Sequence, residues 1–303
     1  MSELLLHDEL PTQRAIKGRS LWEDAWRRLM RNPAAVVSLY LVAILVLIAV
    51  FGPMLWVHSV DEIFRDSVAI APTRVNMHLL GTDTEGRDMA ARLIFGLRIS
   101  LLVAVAATAV ALTIGVAWGA IAGFFGGIVD DVMMRIVDVL YAIPFVFFVI
   151  VLMTVIDTPD PVVKLMWIFA AIGAVEWLTM ARIVRGQTIS LRKKEFVEAA
   201  RASGAKPLEI VFRHIVPNVL GPVVVFATLN IPVIILAESF LSFIGLGVQE
   251  PLTSLGRLIS DGARQMTNAP WMLIAPAVTM MVTLLALNFL GDGLRDALDP
   301  KER

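Results

Sequence analysis

The chain has 303 residues, of which 57% are hydrophobic and only 17% charged, whereas about a quarter of the residues of ordinary soluble domains are charged. Its 26 basic and 27 acidic residues leave a net charge of −1, and there is no cysteine. These values exclude disorder, which needs low hydrophobicity and excess charge, a nucleic-acid partner, which needs a basic excess, and a disulfide scaffold; an integral membrane protein is the class that is left.

Residues 1–33 are mostly polar. Ser20-Leu21-Trp22-Glu23 has the spacing of a capping box. Trp22, Ala25, Trp26 and Leu29 recur at helical intervals against Arg27, Arg28 and Arg31, which predicts an amphipathic helix at the membrane surface, read as an anchor in preference to a gate. A span-length apolar run after so polar a leader does not fit a cleaved signal peptide, so the first helix is expected to be retained.

Uncharged apolar runs then occupy 34–57, 99–129, 139–156, 165–181 (interrupted by Glu176), 215–237 and 270–290. A bilayer core takes roughly 17–25 helical residues, so an all-α membrane protein with six transmembrane helices is expected. The stretch 58–98 carries both signs of charge and is expected to be an extracytoplasmic subregion. With the N-terminus inside, 18 of the 26 basic residues fall in inner segments, which predicts that both termini are cytoplasmic.

Along the second span Ala107, Ala111, Gly115, Gly119, Gly123 and Gly127 fall every fourth residue. Such a stripe predicts close helix packing rather than ligand binding. Its Gly123-Phe-Phe-Gly-Gly127 end is expected to form an exit turn. Polar groups inside spans are costly and face a cavity or a partner. Glu176 reads either as a pathway or gate carboxylate or as a structural group, protonated or paired with an arginine, near Arg182 or Arg185. Asn230 and Asn288 read first as interhelical hydrogen-bond partners, and Glu238 is placed at a span end; Asn230 and Glu238 join Glu176 as pathway or gate candidates. Pro144, Pro217, Pro222, Pro232 and Pro276 interrupt four spans or their entrances, each removing a backbone donor.

The most basic inner loop lies between the fourth and fifth spans. Residues 195–203 form a strong helical pattern, Gly204 stands where a left-handed stop belongs, and Pro207 suits the first turn of a second helix. In that second helix Leu208, Val211, Phe212 and Ile215 are expected to share one face. Ala199 and Ala200 keep the first helix thin, so that a partner can approach its backbone; the loop reads as a cytoplasmic docking element.

At this loop the sequence resembles the membrane subunits of bacterial ABC importers, whose signature is Glu-Ala-Ala, three residues, Gly, nine residues, then Ile-x-Leu-Pro. The corresponding residues are Glu198-Ala199-Ala200, Gly204 and His214-Ile215-Val216-Pro217, with His for the first Ile and Val for Leu. Gly81-Thr-Asp83, Gly86-Arg-Asp88, Arg92, Gly96, Arg98 and Ser100 resemble the signature of the oligopeptide, dipeptide and nickel permease group. The loop from Ser242 to Gly247 and the tail from Asn288 to Pro300 are similar to that group too, although Leu255 stands where many members carry Trp. Gly18-Arg-Ser-Leu-Trp22 and Met180-Ala-Arg-Ile-Val-Arg-Gly-Gln187 look most like the C-subunit branch of the oligopeptide permeases. From the residues alone, Asp83 and Asp88 read as helix-capping or salt-bridging groups near Arg92.

The resemblance implies a type I ABC importer permease divided into an N-terminal amphipathic segment (1–33), a first transmembrane helix (34–57), an extracytoplasmic loop (58–98), a core permease domain (99–292) with its cytoplasmic coupling loop (182–214), and a cytoplasmic tail (293–303). It implies a second homologous permease subunit, two cytoplasmic ATPase subunits that use ATP and Mg, and an extracytoplasmic substrate-binding protein, assembled in the bacterial inner membrane. Oligopeptides are the expected substrate, with dipeptides, nickel and other small solutes as alternatives. No phosphate loop, His-Glu-x-x-His or Gly-x-Ser-x-Gly is present, so no catalytic residue or bound cofactor is expected here. His7, His58, His78 and His214 are scattered, so no metal site is expected. An ion-coupled carrier would suit Glu176 and the broken spans but leaves the basic loop unexplained.

Overall fold

The computed structural model describes residues 21–156 and 158–298. Ser20 of the capping box, the rest of residues 1–20, and 299–303 lie outside the described residues. The described ones build eleven α-helices and no named strand.

Helix α1 (Leu21–Leu29) has Glu23 and Asp24 in its first turn and Arg27 and Arg28 in its last, complementing the helix dipole at both ends. Ala25 and Leu29 are buried against Ala35 and Ala297, while Trp26 is exposed. Part of the apolar stripe therefore grips protein, at Ala25 and Leu29, while Trp26 stays on the surface. Helix α2 (Pro33–Leu55) begins where Asn32 accepts the backbone N–H groups of Ala34 and Ala35 and Pro33 fills the first helical position.

Helix α3 (Met89–Phe125) starts ten residues before the expected boundary at 99. Its N-cap is Asp88, which accepts the Ala91 N–H at 2.8 Å. Arg92 disguised this first turn as loop; its charge is neutralised by a salt bridge to Asp83, so it remains in the helix at 3% exposure. At 37 residues and 1.5 Å per residue, α3 is roughly 55 Å long, well beyond a bilayer core.

Gly126, at φ +65°, ends α3, and Gly127, at φ +54°, begins α4 (Gly127–Tyr141). Pro144 then caps α5 (Phe145–Val155), and the two helices meet at 80°. The expected span 139–156 is thus half of a bent pair. Helix α6 (Pro161–Leu191) starts at an Asp160 cap followed by Pro161 and extends ten residues past the expected end. It is followed by α7 (Glu195–Ala202), α8 (Pro207–Ile210), one π-turn (Val211–Ile215), α9 (Val216–Phe243), α10 (Leu255–Arg264) and α11 (Trp271–Leu298). Helix α11 absorbs the start of the expected tail at 293. Five helices are individually long and apolar enough to cross a membrane, and the bent pair α4–α5 makes the count six where it is taken as one broken span.

The small-residue stripe sets the contact between α3 and α6. A Cβ on Gly115 would lie 2.6 Å from the Met180 Cβ, one on Gly123 would lie 2.7 Å from the Arg185 carbonyl oxygen, and one on Gly119 would strike the Ala181 carbonyl. Ala107 and Ala111 are buried along the same line. Gly127 departs from the expectation: nothing among the described residues lies within 4 Å of its Cβ position, because the turn at Gly126 carries it off the helix. Around this seam Val103, Ile168, Ile172, Ile234 and Leu287 form a core shared by α3, α6, α9 and α11.

The chain between α2 and α3 folds onto the loop before α10. Asp83 accepts the backbone N–H groups of Glu85 and Arg87 at 2.8 Å and the Arg87 Nε at 2.8 Å, and pairs with Arg92. Arg87 also reaches Glu250 across 3.0 Å. Gly81, at φ +79°, lets the Trp271 indole approach so that its Nε1 donates to the Thr82 carbonyl at 3.2 Å.

Candidate functional site

The basic loop between α6 and α9 is built as a docking element would be. Helix α7 stops in a left-handed Gly204, at φ +82°, with the Ala205 N–H bonded to the Ala200 carbonyl, the six-to-one bond of a Schellman stop. Pro207 opens α8. Val197 and Ala200 on α7, with Ile210, Val211 and Ile215, bury one side of the loop against Ala120 and Phe124 of α3 and Met180 and Val184 of α6. Arg192 strengthens that seat, donating from Nη1 to the Gly123 and Phe124 carbonyls at 3.2 Å each; these are α3 carbonyls left without helical partners.

The other side of the loop is open. Glu198, Ala199, Gly204 and Pro217 are exposed, and Ala200 sits at the boundary. Leu208 and Phe212 were expected to share one face with Val211 and Ile215, yet they are 53% and 51% exposed while Val211 and Ile215 are buried. The π-turn causes this. Its wider winding aligns residues five apart, so Ile210 and Ile215 share the buried face while Leu208 and Phe212 rotate outward.

Inside the spans, Glu176 finds neither expected arginine. Arg185 forms a two-pronged pair with Asp130 of α4, at 2.5 and 2.7 Å, and Arg182 binds Asp138 at 2.9 Å. Both arginines are drawn to the carboxylates of α4, whose spacing places them along α6. Glu176 instead accepts from the Asn230 amide at 2.9 Å, joining α6 to α9, and is only partly buried. The structure thereby unites two of the three polar candidates.

Glu238 lies apart from them and is not at a solvated span end: it is 0% exposed. The loop before α10 folds over the end of α9 and buries it. Ser242 donates to one carboxyl oxygen at 2.6 Å and Ser100 to the other at 3.3 Å. The Leu255 N–H in turn donates to Ser100 at 3.1 Å, and Ser254 contacts Ser242 at 3.3 Å. This serine-lined node ties α3, α9 and the entry to α10 together, and only tertiary folding assembles it.

The histidines also depart from the sequence reading. His58 and His78, 20 positions apart, stack with ring centroids 4.9 Å apart, next to Asp88.

Comparison with known proteins agrees with this architecture. Residues 115–303 match the family model for the binding-protein-dependent transport system inner membrane component, and residues 20–72 match the N-terminal transmembrane domain of oligopeptide transport permease C. The chain is 50% identical to the oligopeptide transport system permease protein OppC of Haemophilus influenzae over 95% of its own length and 91% of that protein's. It is 43% identical to the protein of the same name from Bacillus subtilis, covering 95% of this chain and 92% of that one. The dipeptide transport system permease protein DppC of Bacillus subtilis is 42% identical over 94% of this chain and 87% of its own. With a family model spanning its core helices and relatives aligned along nearly its entire length, this chain belongs to the inner membrane components of binding-protein-dependent transport systems.

Proposed function

We propose that this chain is one of two membrane-spanning permease subunits of an ATP-driven importer of peptides, oligopeptides above all, in the bacterial inner membrane. It lines the translocation pathway with a homologous second subunit. Two ATPase subunits on the cytoplasmic side hydrolyse ATP with Mg, and an extracytoplasmic binding protein delivers the substrate. Both described ends of the chain face the cytoplasm in this reading, and residues 56–88 face outward. The names of the aligned relatives support the peptide class.

The observation that carries the transport mechanism is the two-sided loop over α7 and α8. Its inner face is packed into α3 and α6, while Leu208, Phe212 and the exposed edge at Glu198 and Ala199 await a partner. An ATPase surface that moves on binding ATP will drag this loop, and the buried contacts pass the displacement to α3, α6 and α9. ATP must bind one of the two ATPase states more tightly for such a shift to be driven.

Gly204 tests this reading. A β-branched residue at φ +82° is strained by about 1–2 kcal/mol, while the space around the glycine is open, so the distortion stays in the loop. Gly204→Val is expected to reduce ATP-dependent peptide uptake at least tenfold with normal membrane insertion, and Gly204→Asn, which tolerates the left-handed region, to retain most uptake. Full uptake by the valine variant would exclude docking through this loop.

Glu176 and Asn230 are proposed to face the pathway. Glu176→Gln preserves size and can still contact Asn230, so the chain is expected to accumulate normally while uptake falls severalfold. Uptake unchanged at every pH tested would confine Glu176 to joining α6 and α9. Glu238, by contrast, is assigned to holding α3 and α9 together.

A further inference from the structure

Outside the docking loop and the spans, one group of side chains has the composition of a metal site. His58 follows α2, His78 follows a single 3-10 turn (Val75–Met77), and Asp88 caps α3. One potential ligand atom from each lies within 4.8 Å of the other two. Asp88 is fully buried and His78 is 1% exposed.

The cluster leaves a buried imidazole nitrogen unsatisfied. His78 Nδ1 faces the Asp88 carboxylate at 2.9 Å, but its Nε2 has no hydrogen-bond partner among the described residues although it is buried. His58 Nε2 donates to the Asn76 carbonyl at 2.6 Å, which leaves Nδ1 as the lone-pair nitrogen. That nitrogen is 3.7 Å from the Glu62 carboxylate. The second carboxylate oxygen of Asp88 accepts from the Trp56 indole at 2.9 Å, fixing the group as an outer-shell hydrogen bond fixes a metal ligand. Phe64 packs edge-on against both imidazoles, with centroids 4.9 and 4.8 Å away.

We propose that His58, His78 and Asp88 bind one divalent transition-metal ion of the zinc class. Two imidazoles and one carboxylate are a donor set that suits zinc, with nickel and copper as competitors. Tetrahedral ligands about 2.1 Å from zinc stand roughly 3.4 Å apart, so an ion entering between His78 Nδ1 and Asp88, now 2.9 Å apart, pushes that pair slightly open, while His58, within 4.8 Å of both, moves in by about an ångström. Water or Glu62 takes the fourth position. His58 lines a cavity of 360 Å³ with Trp56, Ser59 and Ala91, which gives the ion a route in from the solvent. Because the three ligands come from three chain segments, the bound ion pins the end of α2 and the intervening loop to the first turn of α3.

The test uses the tag-free full chain in detergent, stripped with chelator and titrated with zinc chloride. One zinc per chain is expected, and cobalt substituted for it should show the visible absorption of a tetrahedral ion. His58→Gln leaves the His78–Asp88 pair in place and should weaken zinc binding at least tenfold, as should His78→Gln, while His214→Gln should leave it unchanged. Zinc at the site should also raise the thermal midpoint of the wild-type chain and not that of His58→Gln. Absence of stoichiometric zinc, or an affinity that His58→Gln does not alter, would overturn the proposal.

Discussion

Asp83→Ala is expected to lower the stability of the chain by about 3–5 kcal/mol, the cost of breaking a buried ion pair by removing one partner. Arg92 is 3% exposed and paired with Asp83, and without that partner it keeps only the more exposed Glu250 carboxylate at 3.7 Å. Two backbone N–H groups would also lose their acceptor. The same network gives a pH dependence. Burial opposes ionisation of Asp83, but hydrogen bonds from the Arg87 backbone and side chain, together with the charge of Arg92, outweigh it and hold the carboxyl below its ordinary value of 3.8. Glu250 is held low by Arg87, Arg92 and Arg257 against the same burial. The folded state therefore binds fewer protons than the unfolded one, and stability from these groups is complete above the ordinary carboxylate range and is lost as pH falls through the lowered values. Thermal unfolding followed from neutrality into acid should show that loss in the wild-type chain and a flatter profile in Asp83→Ala. An unchanged midpoint at neutral pH would contradict the network's structural role.

Gly119→Leu should be at least as damaging. The first added carbon already meets the Ala181 carbonyl, and the Arg185 N–H and Val184 Cβ lie only 2.9 Å from it. These are backbone and Cβ atoms, so no rotamer change can clear them; α3 and α6 have to separate, opening the seam along Gly115 and Gly123 as well. Overpacking of a well-packed core commonly costs 1–3 kcal/mol and more where the backbone must move, and we expect the upper part of that range or beyond. Loss of the folded chain from membranes, or a thermal midpoint lowered by many degrees in detergent, would show it. Gly127→Leu, eight residues further on, past the break at Gly126 and in open space, is the comparison; its cost comes from its positive φ and not from helix packing.

These contrasts show which features were legible in the sequence. Gly204 and Pro207 announce their local structure because only their own backbone preferences are involved, and the stripe from Ala107 to Gly123 follows from the helical period. Span number was legible because hydropathy integrates over many residues. What escaped depends on contacts between distant segments. Arg92 looked like loop until Asp83 neutralised it; Glu238 looked solvated until Ser100 and the chain near Ser254 closed over it. The shared face expected for Leu208, Val211, Phe212 and Ile215 was split because a π-turn changes the angular step without leaving a mark in the composition. Arg182 and Arg185 were closer in sequence to Glu176 than to Asp130 and Asp138, and sequence distance was the wrong measure. Likewise His58 and His78 are remote along the chain and adjacent in space.

Helix α3 has a further consequence. Asp88 holds its first turn and Arg192 clasps its last carbonyls, so a single rod of roughly 55 Å is fastened at one end to the chain between α2 and α3 and at the other to the loop over α7. Neither attachment can shift along the rod's axis without the other feeling it. In the importer proposed above, one strut then joins the two faces of the membrane, and arrival of substrate outside and engagement of an engine inside become readings of the same mechanical coordinate.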